Sequence, residues 1–185
     1  TVLALNAAKE SRFYSRIDES KIGMMGHSLG GLTTLGMIGA YQFTDARIKA
    51  AILFSAPTYP FEETGSGVAI PTMSMVGDND EPMLRPDISR RAFYDMASPP
   101  KYYLILSNAD HLAFTDRDYR EMPLYQAVEK DPRARAISEY GFAFFETHLL
   151  LKPSSVLNEK DEAWVYYVKQ EAGKDEVTWG EEPPL

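Results

Sequence analysis

A mixed α/β fold, with a mostly parallel sheet flanked by helices, is predicted by three features of this sequence. Short apolar runs at 22–25, 48–55, 71–76 and 101–107 are separated by stretches of helical periodicity, the pattern of β-α-β units. The run at 48–55 (Ile-Lys-Ala-Ala-Ile-Leu-Phe-Ser) is almost continuously apolar, which suits a parallel strand covered on both faces. The run at 22–25 passes through Gly26-His27-Ser28-Leu29-Gly30 directly into a helical stretch, so strand and helix are joined by a very tight turn.

Taken in order, residues 2–16 begin as a helix with Leu3, Ala7 and Ala8 on one face. Residues 17–21 turn the chain into the first strand, and a helix over about 30–41 follows the Ser28 turn. The second strand, 48–55, closes at Ala56-Pro57 and opens a loop over 58–69 that carries Tyr59 and Phe61. The third strand, 71–76, ends at Gly77-Asp78-Asn79-Asp80. Ile88, Phe93 and Met96 give the helical stretch 86–97 a buried side. The fourth strand, 101–107, leads to Asn108-Ala109-Asp110-His111. A last long helix spans about 132–151, marked by Ile137, Tyr140, Phe144 and Leu151. From Lys152 the chain changes character: Pro153 breaks the helix and acidic residues dominate. Within this tail, 164–168 (Trp-Val-Tyr-Tyr-Val) reads as an edge strand or a segment packed on the body.

Gly26-x-Ser28-x-Gly30 between a buried strand and a helix has the placement of a nucleophile elbow. The turn forces strained backbone on Ser28 and lifts its hydroxyl clear of the sheet, while the free N–H groups of the new helix point at the same spot. Glycine is expected at 26 and 30 because side chains there would strike the neighbouring strand and helix, and Gly31 lets the helix pack close. The approach Arg16-Ile17-Asp18 … Ile22-Gly23 and the elbow resemble the α/β-hydrolase family, and the surrounding sequence looks most like its dienelactone-hydrolase-related branch.

Ligands of an open parallel sheet sit beyond the carboxyl ends of the strands, and Ser28, Asp80 and His111 each fall just past the end of a different one. Two carboxylates compete after the third strand, Asp78 and Asp80. The family's Gly-x-x-Asp pattern implies Asp80, leaving Asp78, nearer the strand, to serve the turn. Of three histidines, His27 sits on the elbow and is assigned to packing. His148 lies inside the last helix near its C-terminus, where an imidazole suits the helix dipole, so His111 remains as the base. The resemblance places the family's histidine in a loop after the last strand, which Ala109-Asp110-His111-Leu112 fits. A serine hydroxyl needs a base to take its proton during attack; an imidazole supplies one near neutral pH, and a carboxylate fixes its tautomer. The Leu29 backbone N–H is the expected oxyanion donor, and Tyr59 and Phe61 are candidates to line the substrate pocket.

These features together predict a serine hydrolase that cleaves carboxylic esters, small or polymeric, through an acyl-serine. A lipase, cutinase or polyesterase with the same triad is the nearest alternative, and a non-catalytic binding or assembly chain of the same fold is the alternative from another class. No metal or organic cofactor is implied. With 185 residues the chain forms one domain by length, able to bury roughly 70% of its unfolded surface. A net charge of −8 argues against nucleic acid and anionic membranes as partners. Without cysteine there is no disulfide framework, thiol nucleophile or cysteine zinc site. The given chain has no signal peptide and no apolar run long enough to span a bilayer, and so reads as soluble. The resemblance implies that 1–151 is the C-terminal part of a hydrolase domain and 152–185 an acidic extension. The family's first strands, and the loop that carries its second oxyanion donor, are lacking from the sequence given, which is expected to be one part of a longer protein, to pair with a second chain that supplies the other strands, or to be a minimal version whose copies join sheet to sheet as a homodimer.

Overall fold

The computed structural model describes residues 1–40, 43–58, 67–80, 86–96, 100–159, 161, 163–170 and 177–180. Four parallel strands, β1 (Ile22–His27), β2 (Ile48–Phe54), β3 (Thr72–Gly77) and β4 (Lys101–Leu106), lie side by side in sequence order. Two more complete the sheet of the described residues: β5 (Trp164–Gln170) runs antiparallel to β4, and β6 (Val177–Gly180) antiparallel to β5. The apolar run in the tail is therefore a strand of the main sheet.

Helices cover both faces, as the continuous apolar runs require. On one face α5 (Pro132–Leu149) lays Ala136, Tyr140, Ala143 and Phe144 against Ile52, Met73, Met75, Tyr102, Leu104 and Leu106. On the other, α2 (Leu29–Leu35) and the wide turn that continues it to Ala40 place Leu35 and Ile38 against Ala51 and Leu53. Further along that face α3 (Pro86–Asp95) sets Phe93 against Val76, Tyr103 and Ile105. Lys101 lies buried at the first position of β4, where its Nζ donates to the carbonyls of Phe93, Tyr94 and Met96 at 2.9, 3.1 and 3.0 Å. These carbonyls lie at the C-terminal end of α3, so the ammonium caps the helix from the sheet.

The first helix differs from the sequence expectation. α1 (Val2–Ala7) stops after six residues and buries none of them. Asn6 explains the early stop: its Oδ1 accepts from the Arg16 and Ile17 N–H groups, and its Nδ2 donates to the Ile17 carbonyl. Residues 8–17 are thereby folded back as a loop instead of continuing the helix. The stretch between His111 and α5, in which no element was expected, contains a 3₁₀ turn (Arg117–Tyr119) and α4 (Leu124–Lys130). α5 starts where Asp131 caps it by accepting from the Arg133 N–H at 2.8 Å, with Pro132 in the first turn. Among the described residues no helix is long and apolar enough to cross a membrane.

Candidate active site

Because β1 to β4 are parallel, the loops after their carboxyl ends share one edge of the sheet. Ser28 follows β1, Asp80 follows β3 and His111 follows β4. Residues separated by more than eighty positions are thus brought into contact.

The elbow has the strain its sequence requires. Ser28 takes φ 55° and ψ −123°, a region that side-chain-bearing residues rarely occupy. Its backbone N–H is tied to the Phe54 carbonyl at 2.9 Å and its carbonyl to the Leu32 N–H at 3.0 Å, so both sides of the turn are pinned. A Cβ on Gly26 would lie 2.2 Å from the Gly30 oxygen, and one on Gly31 would lie 2.5 Å from the Ala56 Cβ. Gly30 departs from expectation: a Cβ there would meet nothing within 4 Å. Its part in the motif is to bring its backbone close to Gly26, and that approach needs a missing side chain on one partner only.

His111 bridges the other two groups. Its Nδ1 is 2.8 Å from Asp80 Oδ1 and its Nε2 is 2.9 Å from Ser28 Oγ. With the proton on Nδ1, the imidazole donates to the carboxylate and accepts from the serine hydroxyl. The Asp80 side chain is fully buried, whereas His111 keeps 16% of its side-chain surface and remains open to a substrate. Burial pushes the Asp80 carboxyl above its ordinary range; the Ser55 hydroxyl and His111 act in the opposite direction. Asp78 is occupied elsewhere, its Oδ1 accepting from the Ala109 N–H at 3.1 Å.

His27 packs, as expected of it, but against the base itself. Its Nε2–H donates to the His111 carbonyl at 2.7 Å, and the two rings lie 4.8 Å apart. Phe114 is 6.3 Å from His27 on one side and stacks on Phe54 at 5.5 Å on the other, so the loop after His111 is anchored to the ends of β1 and β2. His148 sits within hydrogen-bond distance of the Tyr102 hydroxyl, remote from this edge of the sheet. Leu29 and Leu112, the residues that follow the serine and the histidine, are 66% and 41% exposed, so apolar surface flanks the triad. A cavity of about 570 Å³ lies between the loop after His111 and helices α4 and α5, with Phe114, Tyr119, Met122 and Ile137 in its wall. Tyr59 and Phe61 lie outside the described residues. No cluster of His, Asp or Glu among the described residues is arranged to hold a metal ion.

The structure therefore holds a serine-hydrolase-type catalytic geometry, Ser28–His111–Asp80. Sequence reasoning missed the Ser55 hydroxyl beside Asp80, because a serine at a strand end carries no motif. It also missed the His27 contact, which depends on how the loop after His111 returns. No curated protein matches this chain. The family model described as PETase: PET hydrolase-like matches residues 1–133, a span that contains all three triad positions. That match overturns the expected placement in the dienelactone-hydrolase-related branch and an activity of that kind. The elbow and the triad order are common to many α/β-hydrolases, so those residues could not separate one branch from another. Matched over most of its length, with the triad inside the match, the chain belongs to the PET hydrolase-like family of α/β-hydrolases.

Proposed function

We propose that this chain hydrolyses carboxylic esters, with polyesters as the substrate class, by acyl transfer to Ser28. The observation that carries the reading is His111 held between Ser28 Oγ at 2.9 Å and Asp80 Oδ1 at 2.8 Å. As Oγ attacks the ester carbonyl carbon, Nε2 takes the hydroxyl proton and the carbonyl oxygen becomes an oxyanion beside the Leu29 N–H. Collapse of this intermediate breaks the bond to the alcohol, and the imidazolium returns its proton to the leaving oxygen. Water then attacks the acyl-serine with His111 again as base, releasing the acid and regenerating Ser28. The buried Asp80 carboxylate favours this course, since its charge is costly alone and is balanced when the imidazolium forms. Exposed Leu29 and Leu112 beside the triad, together with the family match, support an apolar, polymeric ester over a small polar one.

The test is hydrolysis of p-nitrophenyl butyrate and release of soluble products from a polyester film, each beside Ser28→Ala, with fluorophosphonate labelling of the serine. Turnover and labelling that vanish in Ser28→Ala are expected. Turnover that survives the substitution refutes the assignment of the nucleophile.

For assembly, we read 1–151 as the hydrolase unit and 152–185 as an extension that adds β5 to its sheet. In the described sheet β1 is an edge strand with Met25 63% exposed, and an open apolar edge invites another strand. A preceding segment of a longer chain, a second chain or a second copy would supply it. A solution mass equal to one chain at micromolar concentration counts against self-pairing.

A further inference from the structure

Ser55 directly follows β2 and holds φ 42°, a conformation seldom adopted by a residue with a side chain. It is 1% exposed, and its backbone N–H donates to the Met75 carbonyl at 2.8 Å, which fixes it beside the end of β3. Asp80 stands on the turn that follows that strand. Its Oδ1 receives the His111 Nδ1–H, but its Oδ2 is buried without a hydrogen-bond partner among the described residues, and the Ser55 Oγ is buried and unpaired among them in the same way. The two atoms are complementary, a hydroxyl donor and a carboxylate acceptor, and buried polar atoms are rarely left unmatched. The hydroxyl lies close enough to lower the Asp80 pKa, without hydrogen-bond geometry in this conformation. His111 and His27 are the other groups whose charge bears on the carboxyl.

We propose that Ser55 is a positioning residue for the acid of the triad: rotation of its side chain donates the hydroxyl proton to Asp80 Oδ2 and fixes the carboxylate that orients His111. The proposal rests on the triad reading above. An Oδ2 without a donor is where a proton would add to a buried carboxylate, and a protonated Asp80 no longer balances an imidazolium. The strained backbone of Ser55 is then the conformation that brings its hydroxyl to the acid.

Ser55→Ala and Ser55→Gly separate the hydroxyl from the backbone, since both remove Oγ but glycine also relieves the positive φ. The Asp80 carboxyl is followed by ¹³C NMR titration and ester turnover by p-nitrophenyl butyrate. Both variants are expected to move the Asp80 midpoint upward by about one pH unit and to lower kcat about tenfold, with KM unchanged. Should alanine fail to fold, glycine carries the test. An unmoved Asp80 midpoint in a folded variant overturns the proposal, as does a glycine variant with parental kcat. The titration needs no activity, so a parental chain inert to esters and fluorophosphonate refutes the hydrolase reading while the Ser55 contact is still decided.

Discussion

The two glycines of the elbow motif should respond in opposite ways to the same substitution. In Gly26→Ala the new Cβ would stand 2.2 Å from the Gly30 oxygen, 2.3 Å from the Gly30 carbonyl carbon and 2.7 Å from the Gly31 nitrogen. All three are backbone atoms, so no rotamer change relieves the contact. Restoring an ordinary 3.4 Å separation requires the first turn of α2 to move by about 1.2 Å, the difference between 3.4 and 2.2. Ser28 begins that turn, and its Oγ lies only 2.9 Å from His111 Nε2, so the shift breaks the hydrogen bond on which attack depends. Overpacking of this kind costs about 1–3 kcal/mol, and a displacement of about 1 Å at a reacting atom costs about 10²-fold in rate. In Gly30→Ala the Cβ meets nothing within 4 Å, and alanine favours the helix by up to about 1 kcal/mol. Urea unfolding and the rate of fluorophosphonate labelling report the two quantities. Gly26→Ala should lose both stability and labelling, and Gly30→Ala should keep labelling with unchanged or higher stability. Equal losses in the two variants, or parental labelling in Gly26→Ala, would refute the account of the elbow.

Two predictions concern stability away from the site. Lys101→Met removes the ammonium from three carbonyls at the end of α3 and should lower stability by about 2 kcal/mol, read as a lower urea midpoint with an unchanged slope. Asp131 caps α5, and the Arg133 guanidinium, aided by the Tyr119 hydroxyl, lowers its pKa to about 2. A depressed carboxyl pKa stabilises the fold above the unfolded value near 4, and that stability is lost as pH falls toward 2. Asp131→Asn keeps a cap but not the charge, so its stability should fall less steeply than the parent's over this window, with a difference at neutral pH held by solvent screening to about 1 kcal/mol. Parallel pH–stability curves for the two chains would contradict this.

The strands and the triad were legible because each leaves a local mark. A parallel strand buried on both faces needs a nearly continuous apolar run, and 48–55 and 101–107 provide one. The elbow needs small residues at fixed offsets from the nucleophile, and three histidines were few enough to sort by position. Other features depend on partners far away in sequence. Leu3, Ala7 and Ala8 suggest a helix that continues, yet it is cut short by what Asn6 reaches at Arg16 and Ile17. The run at 164–168 left its pairing open because strand periodicity does not name a neighbour; β4, whose outer edge is unpaired until β5 arrives, decides it. Gly30 was misread because the motif was treated as two separate steric demands, whereas the structure contains one close approach, seen from its two ends. The branch of the family was misread for a related reason, since triad residues report the chemistry and loops report the substrate.

The geometry also explains why the acid of this triad is buried so deeply and the base is not. Asp80 never needs to meet substrate; it needs only to hold one face of His111 and to feel the charge that forms there. Burying it strengthens that interaction, because little water remains to screen it. The same burial makes the unpaired carboxylate costly and raises its pKa, so the site works only if neighbours offset part of the penalty. His111 offsets it at Oδ1. The other oxygen is buried without a partner among the described residues, and so is the hydroxyl of Ser55, which follows β2 at positive φ. His27 acts at one further remove, holding the backbone of His111 by its carbonyl and leaving the imidazole nitrogens to Asp80 and Ser28. The ends of β1 and β2 thus contribute more than the nucleophile: through His27 and Phe54 they also constrain the histidine loop from the side.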